Sequence, residues 1–490
     1  MTFEVKTKKP VNYITAGVLL VLCIVTFFVL KGEFESMQKP ELVYYGKNES
    51  VVAIHKLSEW NKNLETTRDG AGDTLVYELK GEEEGDTMVI LGGVHANEPS
   101  GSVAAIYMVE NLHPKAGTVY ILTHANAAGY TCTDPQEASP MFYSVDTGAG
   151  EREFRFGSRV SNPVYQWPDP DIYVHTSGQK LAGAETRNLN RCYPGIEDGT
   201  ITEQVAYAIT NMIKSVDAAV TIDLHEASPE YKTINTTVYH ARANAITAAR
   251  EWYLDEDLEE AAHMGAEISP EAFRGLSHIE LGTWTDTLAL LMETSNPSQG
   301  REHGKTGTGL VVSGIDKFYL RNNQSVGIQD KRYGRIVETG EFSDEDLFLS
   351  SEDATPFEMT ELGARPLSMR VARHVSAVLA YAQSYTDSVS EALAEAGAAA
   401  TAEEKLEILN GVGLGLSKID SESGELLSDE ESAAKGNIIA ERRTGIIDLG
   451  DLPGYNDLCA NLYTYLAPAD GVETSADAFA GNSAILVSAK

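Results

Sequence analysis

Two residues in the segment from Met88 to Gly101 have the types and the spacing of metal ligands. His95 and Glu98 are three positions apart and follow an apolar run that is typical of a strand. An imidazole and a carboxylate placed in this way can bind one zinc ion from a single loop. A catalytic zinc needs three protein ligands and one open position for water, so the chain must supply a third ligand.

We expect the third ligand at the end of another strand of the same sheet. His225 ends the apolar segment that begins at Ala219, and Asp223 stands two residues before it. Because side chains alternate along a strand, Asp223 shares the face of His225 and could orient a ligand histidine. A strand-end histidine is more often a core or surface residue, but its combination with His95 and Glu98 favours a metal site.

A carboxylate at the end of a further apolar run is a candidate general base. Glu293 lies in the segment Leu288 to Asn296, and burial there would raise the pKa of its carboxyl group towards a useful range. The alternative is a strand-terminal glutamate paired with a surface lysine. Glu226, beside His225, lies on the opposite face of its strand and is the weaker candidate.

Guanidinium and amide groups are concentrated in residues 186–195. Asn190 and Arg191 in this segment could bind a substrate carboxylate, because the planar fork of arginine matches its two oxygens. Arg155 and Arg159 stand upstream. A surface arginine is usually only solvated, yet the grouping favours a binding role for Arg191 in particular.

Four segments, in this order, resemble the succinylglutamate desuccinylase/aspartoacylase family, a branch of the zinc carboxypeptidase superfamily. Within residues 85–300 they are Gly-Gly-Val-His-Ala-Asn-Glu-Pro-Ser-Gly, Arg-Asn-Leu-Asn-Arg-Cys-Tyr-Pro-Gly, Ile-Asp-Leu-His and Leu-Met-Glu-Thr. The resemblance implies one zinc ion per chain, a carboxylate-binding pair and a late general base. The residues at these positions are His95, Glu98 and His225 for zinc, Asn190 and Arg191 for the carboxylate, and Glu293 for catalysis.

The resemblance also implies an arginine that polarises the scissile carbonyl, and here the chain departs from the family pattern. That arginine usually lies a few residues before the Asn-Arg pair, whereas Arg159, whose local context matches, stands 31 positions (190 − 159) before Asn190. We expect Arg159 to take this role, with Arg155 and Arg187 as alternatives. Two smaller departures are Ala96 in place of Gly and Asn188 in place of Asp.

The elements that must position these residues follow from hydrophobic patterning. Four apolar runs are typical of strands, at residues 87–93, 118–124, 219–225 and 288–294. Residues 99–112 and 202–215 have helical patterns, the second behind a possible capping box from Thr200 to Glu203. The alternation predicts an α/β fold with a central mixed sheet flanked by helices, as in zinc carboxypeptidases. Residues 135–185 predict a long irregular insertion.

The N-terminal segment predicts one transmembrane helix. Val11 to Leu30 carries no charge and is long enough to cross a bilayer, and Lys6, Lys8 and Lys9 precede it. This charge placement predicts a single-pass membrane protein with a catalytic domain outside the cytoplasm. A cleaved signal peptide is the alternative.

The predicted domains are a cytoplasmic tail, a transmembrane anchor, a zinc hydrolase domain and an acidic, alanine-rich C-terminal extension of unknown structure. Their bounds are residues 1–10, 11–31, 43–385 and 386–490. With 38 Lys and Arg against 73 Asp and Glu, the net charge of −35 argues against nucleic acid as a partner. Four cysteines are too few for a disulfide scaffold.

The sequence thus predicts a zinc-dependent hydrolase that cleaves an amide bond of an N-acyl amino acid or a related small substrate. The substrate would be a small molecule or peptide with a free carboxylate. One alternative is a membrane-anchored metallocarboxypeptidase, because Asn126-Ala-Ala-Gly-Tyr130 is similar to a stretch of true carboxypeptidases. A second alternative is a non-catalytic binding protein on the same fold.

Overall fold

The chain divides into two compact units, residues 1–40 and 41–490, which are described separately. The structure is a computed structural model. It describes residues 9–37, 41–134, 141–228, 234–249, 262–270, 272–299, 306–314, 366–397, 401–411, 427–428, 430–432, 434–435, 442–480 and 485–486.

The described residues of the first unit form a single helix, α1, from Lys9 to Met37. Its segment Asn12–Glu33 has a mean hydropathy of 2.7 and is long and apolar enough to cross a membrane. By length and composition the helix fits either a membrane span or a signal sequence. Of the predicted cytoplasmic tail, only residues 9 and 10 lie within the described residues.

The second unit contains the described β-strands. They are β1 (Val51–Lys56), β2 (Leu75–Lys80), β3 (Glu83–Gly92), β4 (Ala116–Leu122), β5 (Phe142–Asp146), β6 (Glu151–Arg155), β7 (Ile172–Val174), β8 (Lys180–Ala182), β9 (Ala218–Ala227), β10 (Thr236–Tyr239), β11 (Gly265–Ile268), β12 (Leu288–Ser295) and β13 (Ile485–Leu486). Nine of these described strands form one sheet in the order β11-β10-β12-β9-β3-β4-β2-β1-β13. The four predicted strands form its centre as β3, β4, β9 and β12.

The sheet is mixed. Strands β12, β9, β3 and β4 are mutually parallel, whereas β10 pairs antiparallel with β12 and β2 pairs antiparallel with β4. The prediction of a central mixed sheet flanked by helices is therefore confirmed. Because the carboxyl ends of the four parallel strands meet at one edge, residues at those ends are brought together.

Helices cover both faces of the sheet. They are α2 (Asn63–Thr66), α3 (Pro99–Asn111), α4 (Ile201–Ser215), α5 (Asn244–Ala249), α6 (Ser277–Trp284), α7 (Thr308–Ser313), α8 (Leu367–Ala396), α9 (Ala402–Gly411), α10 (Tyr455–Tyr465) and α11 (Ser475–Ala480). Helices α3 and α8 share one apolar core with Met88 and Ile90, and α4 shares the other with Val89 and Leu91. Burial on both faces explains why the central strands are continuous apolar runs.

Helix α4 begins at a capping box, as the sequence predicts. The Thr200 side chain accepts a hydrogen bond from the backbone N–H of Glu203, and the Glu203 carboxylate accepts one from the backbone N–H of Thr200. These two bonds satisfy backbone donors that a helix start leaves without partners, so the helix begins at a defined residue.

The C-terminal segments pack onto the sheet unit. Helix α8 runs through the predicted domain boundary between residues 385 and 386, and α10 packs against α8. Strand β13 pairs with β1 at one edge of the sheet. The insertion at 135–185 contains two small hairpins, β5–β6 and β7–β8, among irregular segments.

Helix α3 packs closely on the sheet at two glycines, Gly101 in the helix and Gly92 in β3. A Cβ on Gly101 would lie 2.3 Å from the backbone oxygen of Leu224 in β9, and one on Gly92 would lie 2.6 Å from the Cβ of Ala105. The close approach fixes the start of α3, and hence the loop from His95 to Glu98, against β9.

We expect Gly101→Ala to lower the free energy of unfolding by about 1–3 kcal/mol, because the added methyl group must displace the β9 backbone. Gly309→Ala is the matched control, since it also lies in a helix but has open space around its Cβ position. Denaturant unfolding of the two variants measures the difference. Equal stability of the two variants would contradict the close approach.

Candidate metal centre

Three of the predicted site residues converge in the structure. The potential ligand atoms of His95, Glu98 and His225 all lie within 4.8 Å of one another, and all three residues are buried. His95 and Glu98 lie on the loop between β3 and α3, and His225 lies near the end of β9. Strands β3 and β9 are parallel neighbours, so the loop and the strand end meet at the same edge of the sheet.

The three side chains direct specific atoms at one point. His95 Nδ1 lies 2.8 Å from Glu98 Oε1, and His225 Nδ1 lies 2.8 Å from Glu98 Oε2. The two Nδ1 atoms are 3.1 Å apart. Two imidazole nitrogens and one carboxylate are a donor set found in catalytic zinc sites, so the residues present fit this metal.

The outer nitrogen of each histidine is held by an acceptor. Asp223 Oδ2 lies 2.9 Å from His225 Nε2, and Asn188 Oδ1 lies 2.8 Å from His95 Nε2. The Ser277 hydroxyl in turn donates to Asp223 Oδ2 over 2.5 Å. Acceptors at both Nε2 atoms favour a proton there and leave the Nδ1 lone pairs directed at the common point.

The electrostatics of the cluster favour the metal-binding forms of His95 and Glu98. Burial lowers the pKa of His95 to about 3, so this imidazole is neutral near neutral pH. Burial alone would raise the pKa of Glu98, but the adjacent His95 and His225 hold it well below its ordinary value. A neutral imidazole and an ionised carboxylate are the forms that bind a metal ion. At His225, burial lowers the pKa, but Asp223 and Glu98 outweigh it and raise the pKa well above its ordinary value, so a metal ion must displace a proton from this imidazole.

Glu293 lies next to the cluster. It is the register partner of His225 across the parallel strands β12 and β9, so the two side chains share one face of the sheet. Among the residues that the structure describes, no group forms a hydrogen bond with its buried Oε2. Burial, followed by the charge of Glu98, raises the pKa of Glu293 to about 8.

Of the three candidate arginines, Arg159 is the one whose described hydrogen bonds reach a ligand residue. Its Nη1 lies 3.1 Å from Glu98 Oε1, and its side chain is 36% exposed. The Arg155 guanidinium instead bonds to the carbonyl oxygen of Tyr130. Arg187 forms a two-pronged ion pair with Asp169, with distances of 2.7 and 2.9 Å.

Asn190 and Arg191 lie on a short turn that follows Asn188. Asn190 Oδ1 accepts a hydrogen bond of 2.8 Å from the backbone N–H of Ser277, and Arg191 Nη1 donates to the Asn190 carbonyl over 2.6 Å. Burial and the nearby Arg159 lower the pKa of Arg191, although Glu185 and Glu293 oppose this shift. The Arg191 guanidinium therefore lies close enough to Glu293 for their charges to interact.

Sequence reasoning gave no role to several residues that contact the cluster. The sequence marks Asn188 only as a departure from the family pattern, although its position two residues before Asn190 is a usable signal. Gln299 Nε2 donates to Glu98 Oε1 over 3.2 Å, and Ser277 contacts both Asp223 and Asn190. Neither residue belongs to a recognisable local pattern.

Comparisons with known proteins return similar structures. No family model matches the chain, and no curated protein matches it. A succinylglutamate desuccinylase/aspartoacylase from Rhodobacter sphaeroides is 18% identical, with a TM-score of 0.29, over 47% of this chain and 53% of that chain. A putative carboxypeptidase A from Shewanella denitrificans is 11% identical, with a TM-score of 0.28, over 46% and 52%.

A third similar structure is a tripeptide-bound cell shape determinant protein from Helicobacter pylori. It is 10% identical, with a TM-score of 0.32, over 63% of this chain and 54% of that chain. The chain thus spans about half the length of each of these three structures. These structures include a member of the family that the sequence motifs resemble.

We expect Asp223→Asn to weaken zinc binding about 10- to 100-fold, because the lost charge no longer favours a proton on His225 Nε2. Competition with a chromogenic chelator measures the Kd. Asp86→Asn is the control, since Asp86 is also buried but lies near the start of β3, where it accepts a hydrogen bond from Tyr385. The control should leave the Kd unchanged, and an equal loss in both variants would contradict the orienting role.

Proposed function

We propose that the chain is a zinc-dependent hydrolase that cleaves an amide bond of an N-acyl amino acid or a related small substrate with a free carboxylate. One observation carries the proposal. A buried His-Glu-His cluster directs two Nδ1 atoms and a carboxylate at one point, and Glu293 lies beside it on the same face of the sheet. The three metal ligands by themselves would support only a metal-binding function. The nearby Glu293, as a proton acceptor, also supports hydrolysis.

His95, Glu98 and His225 would hold the metal ion. A zinc ion bound there would act as a Lewis acid and lower the pKa of a coordinated water to about 7. The protein contributes by fixing the three donors through Asp223 and Asn188, so that the donors need little rearrangement during the reaction.

Glu293 is the proposed general base. Its buried Oε2 can accept a proton from the attacking water, and the same carboxyl group can then donate that proton to the leaving amide nitrogen. A carboxyl group with a pKa of about 8 is suited to both transfers, because neither the protonated nor the ionised form is strongly disfavoured near neutral pH.

The arginines give the site its preference for anionic groups. Arg159, which contacts Glu98, can donate a hydrogen bond to the oxygen of the substrate's scissile carbonyl as negative charge develops there. Asn190 and Arg191 can bind the free carboxylate of the substrate through paired hydrogen bonds. These positive groups stand out because the whole chain carries a net charge of −35.

A peptide-trimming metallocarboxypeptidase is the second candidate. The observation that favours it is helix α1, whose segment Asn12–Glu33 is long and apolar enough to cross a membrane and is preceded by three lysines. An anchor of this orientation would place the catalytic unit outside the cytoplasm, where peptides are available. N-terminal sequencing of the mature protein separates a retained anchor from a cleaved signal peptide.

We expect Glu293→Gln to lower kcat at least about 100-fold while zinc stays bound, because the amide cannot accept the proton. Glu78→Gln, on β2 and paired with His55, is the control and should keep full activity. The assay compares N-acyl amino acids, the same compounds with an amidated carboxylate, and short peptides with a free C-terminus.

Faster turnover of the free N-acyl amino acids than of the peptides supports the proposed substrate class, and the reverse favours the carboxypeptidase. The amidated compounds should bind more weakly, because they cannot pair with Arg191. If none of the compounds is turned over, or if Glu293→Gln keeps full activity, the proposed mechanism is wrong.

A further inference from the structure

A second polar cluster lies behind the candidate metal centre, on the opposite face of the sheet. Glu226 follows His225 in β9, so its side chain points away from the ligands, towards α8. Glu226 and Arg370 form an ion pair in which both side chains are 0% exposed. The proposed mechanism uses neither residue.

The Glu226 side chain forms hydrogen bonds that hold the loop carrying Glu98 in place. Its Oε2 accepts hydrogen bonds from the backbone N–H of Ser100, at 3.3 Å, and from Nδ2 of Asn296, at 3.1 Å. The same Asn296 nitrogen also donates to the carbonyl oxygen of Asn97 over 3.1 Å. Residues on both sides of Glu98 are therefore tied to one buried carboxylate.

The backbone of Glu226 contacts the ligand itself. Its N–H donates a hydrogen bond of 2.9 Å to Glu98 Oε2, the oxygen that also faces His225. The side chain and the backbone of one residue thus fix both the loop and the carboxylate that it presents. A shift of Glu226 would move Glu98 relative to His225.

Arg370 makes this arrangement possible. A carboxylate buried as deeply as that of Glu226 is strongly disfavoured unless a positive group balances its charge. The Arg370 guanidinium donates hydrogen bonds to Glu226 Oε1 and to the carbonyl oxygen of Val311. Arg370 lies in the first turn of α8, 144 residues after Glu226 in the chain. One end of the guanidinium is thus held by α7 and the other by β9.

We propose that Glu226 is a positioning residue whose carboxylate, balanced in charge by Arg370, holds the Glu98 loop in its metal-binding position from the far face of the sheet. Helix α8 is then part of the metal centre, although it supplies no ligand. The inference rests on the proposed zinc site and adds a requirement for a hydrogen-bond acceptor at position 226.

Two double variants of the full chain test this requirement. Both replace Glu226 and Arg370 with uncharged residues, and both are purified in detergent. Glu226→Gln/Arg370→Met keeps an acceptor oxygen at position 226, whereas Glu226→Met/Arg370→Met fills a similar volume without one. Both variants remove the ion pair. We expect the zinc Kd of the first to lie within about threefold of the unmutated chain, and that of the second to rise about 10- to 100-fold.

Arg373→Met is the control for loss of a buried arginine from the same helix. Arg373 is also buried, but its Nη1 donates to Asn235 and not to Glu226. This variant should keep the zinc Kd even if its stability falls. An equal Kd in the two double variants would overturn the proposal, as would a rise in the Kd of Arg373→Met that matches the acceptor-free variant.

Asn296→Ala tests the same hydrogen bond from its donor side and keeps the ion pair, should the double variants fail to fold. We expect its zinc Kd to rise about tenfold, and an unchanged Kd would overturn the proposal. Zinc binding by the unmutated chain is measured first. Its absence would refute the proposed zinc site, whereas binding with unchanged affinity in Asn296→Ala would refute only the role of Glu226.

Discussion

The structure depends above all on the buried carboxylate of Glu98. His95, Arg159 and Gln299 surround Oε1, and His225 and the backbone N–H of Glu226 surround Oε2. A carboxylate removed from water is costly unless positive charge and hydrogen bonds replace its hydration. The groups around Glu98 provide this positive charge and these hydrogen bonds. Two of them, His95 and His225, are also the proposed zinc ligands.

The sheet topology explains how residues so far apart in sequence reach this carboxylate. Parallel strands β3, β9 and β12 end at one edge, and strand alternation divides their polar residues between two faces. Asp223, His225 and Glu293 lie on the face of the sheet that carries the proposed zinc site. Glu226 lies on the opposite face, where it contacts Arg370 in α8 and helps to position the zinc ligands.

The sequence predicted the centre of this arrangement because the relevant signals are local. Apolar runs located the four central strands, and a two-residue separation placed Asp223 on the face of His225. The partnership of Glu226 and Arg370 leaves no such signal, because it joins residues 144 positions apart. The pairing of β13 with β1 escaped prediction for the same reason, and Asn188 was recognised only as a substitution.

The zinc content of the purified full chain tests the central claim most directly. Elemental analysis after removal of loosely bound metal should find one zinc per unmutated chain and none in the His95→Ala variant, because two remaining ligands bind zinc too weakly to retain it. Absence of zinc from the unmutated chain, or the same zinc content in both proteins, would contradict the metal centre described above.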